Sequence, residues 1–185
     1  AVNLGAKTLT MSGKGTFSNT NALVLNSAYS KLRLSNTTTV SSVSTSAPSQ
    51  GVDVDESSTI TSLAVGHKTP VSIAAGKTLS GGITVTAVTG GSSIKLGETG
   101  TLASTVSMSG GTLDANNNMT ISGALSHSGN ITIDVYSNKT LTYSGTAINV
   151  GANTITLSGG GSLVSGGITL NNAQSKLLLN SITLD

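Results

Sequence analysis

The sequence predicts an all-β chain wound as a parallel β-solenoid of about nine coils, and three observations carry the prediction. The first is a repeat: residues 2–34 return as residues 148–179. At an offset of 146, Val2 lies on Ile148 and eight of the first sixteen positions are identical. After a one-residue gap, Leu23 lies on Ile168 and seven of the next twelve agree, among them Asn26, Ala28, Ser30, Lys31, Leu32 and Leu34. The second is what the copies preserve. Val2/Ile148, Leu4/Val150, Leu9/Ile155, Met11/Leu157, Phe17/Leu163, Leu25/Leu170, Leu32/Leu177 and Leu34/Leu179 stay apolar, while intervening positions such as Val24/Thr169 and Arg33/Leu178 change character. That is the inner face of a period-2 strand. The third is a shorter rhythm: Val2 and Leu4 recur as Leu23 and Leu25, and Leu9 and Met11 as Leu32 and Leu34, in steps of 21 and 23 residues. Each step holds two clear strand pairs separated by Gly, Asn and Ser, the spacing of a solenoid coil. Coils about 4.8 Å apart make a rod on the order of 40 Å. A Greek-key β-sandwich is the alternative, since many short strands with turn signals also fit one.

Composition narrows the class. The chain is 36% hydrophobic, 9% charged and 2% aromatic, with 23 glycines, two prolines and no cysteine. Disorder calls for few β-branched residues and high net charge, and Gly, Ser, Thr and Asn at this density defeat helix propensity. No apolar run approaches the length of a membrane span, so membrane insertion is not expected. A net charge of +2 on scattered lysines does not suggest nucleic acid. Without cysteine there are no disulfides and none of the usual zinc sites. The start at Ala1 reads as a mature or excised piece.

Along the chain, the whole of 1–185 reads as a single elongated unit. Residues 35–58 have the weakest pattern and are expected to form an irregular coil bearing a surface loop at 47–50, with a linker between two domains as the competing reading. Alternation returns at Ile60, Leu63 and Val65, and again at Val71 and Ile73 after a turn at 66–70. Gly81-Gly82, Gly90-Gly91, Gly110-Gly111, Gly166-Gly167 and the glycine triple at 159–161 mark sharp corners, where positive φ is needed. Asn116, Asn117, Asn118, Asn171 and Asn172 are corner residues as well, able to stack as a ladder from coil to coil. Leu4, Leu9, Met11, Leu25, Leu32, Leu34, Ile155, Leu157, Leu170, Leu177 and Leu179 are expected to point inward.

The words TLTMSG at residues 8–13, TITLSGGG at 154–161 and GGITLNN at 166–172 resemble the right-handed β-helical passenger regions of bacterial autotransporters and filamentous-haemagglutinin-like adhesins. The resemblance covers most of the chain outside 35–58. It implies a secreted, cell-surface rod whose work is reach, adhesion or matrix building. Surface glycans are a candidate partner. No translocator or C-terminal barrel signal accompanies it.

Catalytic chemistry finds little to work with. Polysaccharide-cleaving solenoids need clustered carboxylates with a basic residue or calcium, and only Asp53, Asp55 and Glu56 sit together here. They are the one candidate metal site, through oxygen ligands; solvation of an acidic loop is the other reading. His67 and His127 have no companion ligand and read as exposed turn residues. No strand-to-helix nucleophile elbow is visible. No catalytic residue and no cofactor is therefore expected. Asn36, Asn118, Asn130 and Asn138 match the N-glycosylation acceptor pattern. Thr-x-Thr words at 8/10, 59/61, 84/86, 140/142 and 154/156 raise an ice- or carbohydrate-binding module as an alternative function, but their unequal steps favour plain strand propensity. Neither end shows a capping helix, proline or charge cluster. The expectation is an extracellular structural or adhesive fibre component, a non-enzyme, made by self-association or by neighbouring repeats of the same protein.

Overall fold

The computed structural model describes residues 1–87 and 91–185, so Gly90 of the glycine pairs lies outside the described residues. The fold is a parallel β-solenoid of about nine turns. Every regular element among the described residues is a strand, and every pairing between these strands is parallel. One sheet stacks nine strands in chain order: Thr8–Met11, Lys31–Leu34, Gly51–Val54, Thr69–Ile73, Ser93–Gly97, Gly111–Ala115, Ile131–Val135, Thr154–Ser158 and Lys176–Leu179. Leu9 stands opposite Leu32 in neighbouring coils of this one sheet, which excludes the sandwich.

Each coil has three sides rather than the two strand pairs that the sequence rhythm shows. The nine-stranded sheet is the second side. The first side runs from Val2–Asn3 through Leu23–Leu25 to Thr105–Met108, Leu125–His127 and the pair Ile148–Asn149 with Ile168–Thr169. The third runs from Gly15–Phe17 through Thr101–Leu102, Met119–Ile121, Thr140–Tyr143 and Ser162–Ser165 to Thr183–Leu184. In three successive coils the third and first sides are one eight-residue strand passing through the corner: Thr38–Thr45, Ser58–Val65 and Thr78–Val85. Register partners lie 19 to 25 residues apart, so corners of variable length absorb the variation while strands hold register.

Gly81 shows what such a corner demands. Its φ is +117°, and a Cβ there would lie 1.8 Å from the Ile60 carbonyl oxygen of the coil below. Only glycine lets the strand Thr78–Val85 bend at that separation, and the register with Ser58–Val65 shifts between Gly81 and Ile83.

The interior is a single apolar column running from Leu23 to Leu163. Leu25, Leu32, Leu34, Ile155 and Leu157 are fully buried, as expected. Leu4, Leu9, Met11 and Leu177 pack against the core but stay partly open. Leu170 and Leu179 depart from expectation: each is 55% exposed. Leu179 still aligns with buried Leu157, so its orientation is inward, but no coil of the described residues lies beyond it. Residues 35–58 are also more regular than their composition suggests. Thr38–Thr45 alternates with Val40 and Val43 buried, and Gly51–Val54 buries Val52 and Val54. Only 46–50, between those strands, is loop. Ser and Thr hide the pattern because Thr38 and Thr45 themselves face inward.

Truncating Leu32 to alanine should lower the unfolding free energy by about 2–5 kcal/mol, whereas Leu179→Ala, at the open end, should cost well under half of that in the same denaturant titration. Gly81→Ala should destabilise by more than about 1 kcal/mol, because it meets both positive φ and a backbone oxygen.

Candidate functional site: the open ends and the charged side

The repeated stretch is repeated in its hydrogen bonds as well. Gly5 and Gly151 both have left-handed φ, +56° and +59°. The Gly5 N–H donates to Asn26 Oδ1 at 2.8 Å, and the Gly151 N–H to Asn171 Oδ1 at 2.9 Å. Ser30 and Ser175 hydroxyls donate to the carbonyls of the same glycines, at 2.5 and 2.6 Å. The Asn26 and Asn171 side chains therefore each bond the backbone of the adjacent coil, whereas Asn172 Oδ1 accepts from the Gln174 amide of its own turn and Asn116 Oδ1 is enclosed without a partner. Asn118 and Asn130 accept from the Thr140 and Thr154 amides, and Asn36 Nδ2 donates to the Ser12 carbonyl. Asn138 is an exposed turn residue with φ +62°.

Identical packing solutions meet different fates at the two ends. In the second copy Ile148, Val150, Ile155, Leu157 and Leu163 are all buried, covered by the coil that contains Leu125, Ile131 and Leu141. Their counterparts in the first copy have nothing beneath them: Val2 is 52% and Phe17 42% exposed, and Leu4, Leu9 and Met11 are partly open. Val2, Leu9, Met11 and Phe17, with Leu23, line a largely apolar mouth of about 460 Å³. At the far end Leu170 and Leu179 are exposed, where their first-copy equivalents Leu25 and Leu34 are buried, and Leu184 beyond the repeat is exposed as well. Among the described residues the first and last coils thus each present an uncovered surface, with strand N–H and C=O groups facing outward along the stack.

Charge is concentrated on the second side. Asp53 and Asp55 do share its outer face, but the acidic cluster diverges onto three cations. Lys31 Nζ contacts Asp53 at 2.6 Å, Arg33 Nε contacts Asp55 at 2.6 Å, and Lys77 Nζ contacts Glu56 at 2.7 Å. Each of these carboxylates is paired with a cation of a neighbouring coil, and among the described residues no three His, Asp or Glu groups form a cluster that could hold a metal ion. The hydrogen bond to Asp55 raises the Arg33 guanidinium above its ordinary value. Farther along, Asp114 and Asp134 are register partners, a like-charged stack. Burial first and the Asp134 charge second push the Asp114 carboxyl upward, with Lys95 and a Ser93 hydrogen bond opposing them. Asp134 is held by the Ser158 hydroxyl, and Lys95 Nζ lies 5.9 Å from the centre of the Tyr136 ring.

The histidines stay apart. His67 is a half-buried turn residue. His127 is not in a turn but closes the strand Leu125–His127, with Nδ1 2.9 Å from the Gly129 carbonyl oxygen and Nε2 enclosed without a partner. The five Thr-x-Thr words scatter over all three sides.

The fold defines the chain as a parallel β-solenoid. Comparison with protein-family models, curated proteins and solved structures returned no match.

Because the folded state raises the Asp114 pKa, the folded protein binds its proton more tightly than the unfolded chain, and ionisation above that pKa costs stability. Asp114→Asn should therefore raise the melting temperature at pH 7, and the gain should shrink as pH falls through the carboxylate range, in paired thermal melts at several pH values.

Proposed function

We propose that this protein is an extracellular structural or adhesive rod that becomes part of a fibre by receiving further coils at its ends, from neighbouring repeats or from another copy. One observation carries the reading: the five apolar positions that a coil covers in the second copy of the repeat lie open in the first. Full burial of a Val, Leu or Phe side chain contributes about 1.5–3 kcal/mol, so several half-open side chains at each end offer a gain of the same order as the ~4–15 kcal/mol cost of association. Assembly driven by such ends depends on concentration. The resemblance to surface adhesins supports placing the rod outside a cell, and the Ser, Thr and Asn surface suits an exported chain with little charge.

Sedimentation velocity and electron microscopy across a concentration series test the end-to-end route. The wild type should lengthen into fibres, and Leu179→Lys should remain monomeric, with thermal melts confirming that it is folded. A wild type that stays monomeric at every concentration removes this route and leaves the covalent array, which requires recurrence of the 146-residue period in a longer chain.

A further inference from the structure

The third side carries a regular array that the sequence spacing conceals. Its outer positions form two columns running along the stack. One column is Thr37, Ser57, Thr78, Thr101, Thr120 and Thr142, with Thr78 opposite Thr101, Thr101 opposite Thr120 and Thr120 opposite Thr142. The other is Thr39, Thr59, Ser80, Ala103, Ser122 and Ser144: Thr39 opposes Thr59 and Thr59 opposes Ser80. The backbone bonds from Ala103 to Leu79, Ser122 to Leu102 and Ser144 to Ile121 carry that register onward. Over six successive coils, eleven of these twelve outer positions bear a hydroxyl, although Ser and Thr make up under a third of the chain. All twelve are exposed or partly exposed. Residues between them, such as Leu79, Leu102, Ile121 and Tyr143, are buried.

Charge is sorted against this array. Lys31, Arg33, Asp53, Lys95, Asp114 and Asp134 all lie on strands of the second side. At the corner leading to the third side, Glu56 and Lys77 neutralise each other just before Ser57 and Thr78. No ionic group occupies either column through the six coils. The first three coils also enclose a groove of about 160 Å³ lined wholly by Thr37, Thr38, Thr39, Ser57, Ser58, Thr59, Thr78 and Ser80.

We propose that this side binds the surface of ice. The array repeats at about 4.8 Å along the stack and about 6.6 Å across it, twice the rise of a strand residue, distances on the scale of the oxygen repeats of an ice face. Each hydroxyl both donates and accepts, as each water in that lattice does. A surface without charge complements a neutral, periodic hydrogen-bonding lattice. A sugar polymer, by contrast, would call for an aromatic platform or carboxylates, and the array has neither. This inference stands on the third side alone and does not depend on assembly at the ends.

The test is partition of the purified 185-residue chain into slowly growing ice, together with inhibition of ice recrystallisation. Wild type should enter the ice, and Thr101→Lys combined with Thr120→Lys should be excluded, as should Thr59→Lys, which probes a different coil. Thr132→Lys, on the charged second side, should partition as wild type, with thermal melts confirming that each variant is folded. Exclusion of the wild type from ice overturns the proposal, as does entry of the array variants at wild-type level. Retention on crystalline cellulose or chitin that the array variants lose, in a chain that ice excludes, would assign the side to a polysaccharide lattice instead.

Discussion

Everything in this molecule depends on one coil resting in register on the next at the spacing of hydrogen-bonded strands. Because each residue's nearest neighbours along the stack are its counterparts one coil above and below, side chains become columns, and a column has to be consistent in character from end to end. The inner columns satisfy this with Val, Ile and Leu. Where a corner approaches its neighbour too closely for any side chain, glycine appears, as at Gly81 over Ile60. Where a corner leaves an amide without a strand partner, an asparagine from the adjacent coil supplies the acceptor, as Asn26 does for Gly5 and Asn171 for Gly151.

The same rule sorts the outer surface. Opposite charges on adjacent coils form ion pairs, with Lys31 beside Asp53 and Arg33 beside Asp55. These are partly to substantially exposed, so each adds little free energy on its own, yet each avoids the repulsion that like charges would bring. Asp114 over Asp134 violates the rule and is eased only in part by Lys95 and hydroxyl partners. Confining the strand-borne ionic groups to one side leaves the strands of another free to present hydroxyls.

Stacking also explains why the ends are the weak places. A solenoid gains stability from neighbour to neighbour, so the terminal coils have half the contacts of internal ones whatever their sequence. The repeat isolates that effect. Apolar side chains at equivalent positions are buried at Ile148 and Leu163 and open at Val2 and Phe17. A coil lies beneath the first pair, and none of the described residues lies beneath the second.

The sequence by itself determined the class of fold, because a period-2 apolar face and a recurrence near 21 residues are local and survive substitution between the copies. It also placed Leu32, Leu34, Ile155 and Leu157 in the core and identified the two copies that share one hydrogen-bonding clamp. The third side was not legible: its strands are short, and in residues 35–58 serine and threonine occupy inner as well as outer positions, so Thr38 and Thr45 blur the alternation. Nor could the sequence show that Asp53, Asp55 and Glu56 each meet a cation, since those partners are 21 or 22 residues away. The hydroxyl columns were hidden for the same reason. Coils of 19 to 25 residues place Thr78, Thr101, Thr120 and Thr142 at unequal intervals along the chain, and only the tertiary structure, which takes up the difference in the corners, brings them into line.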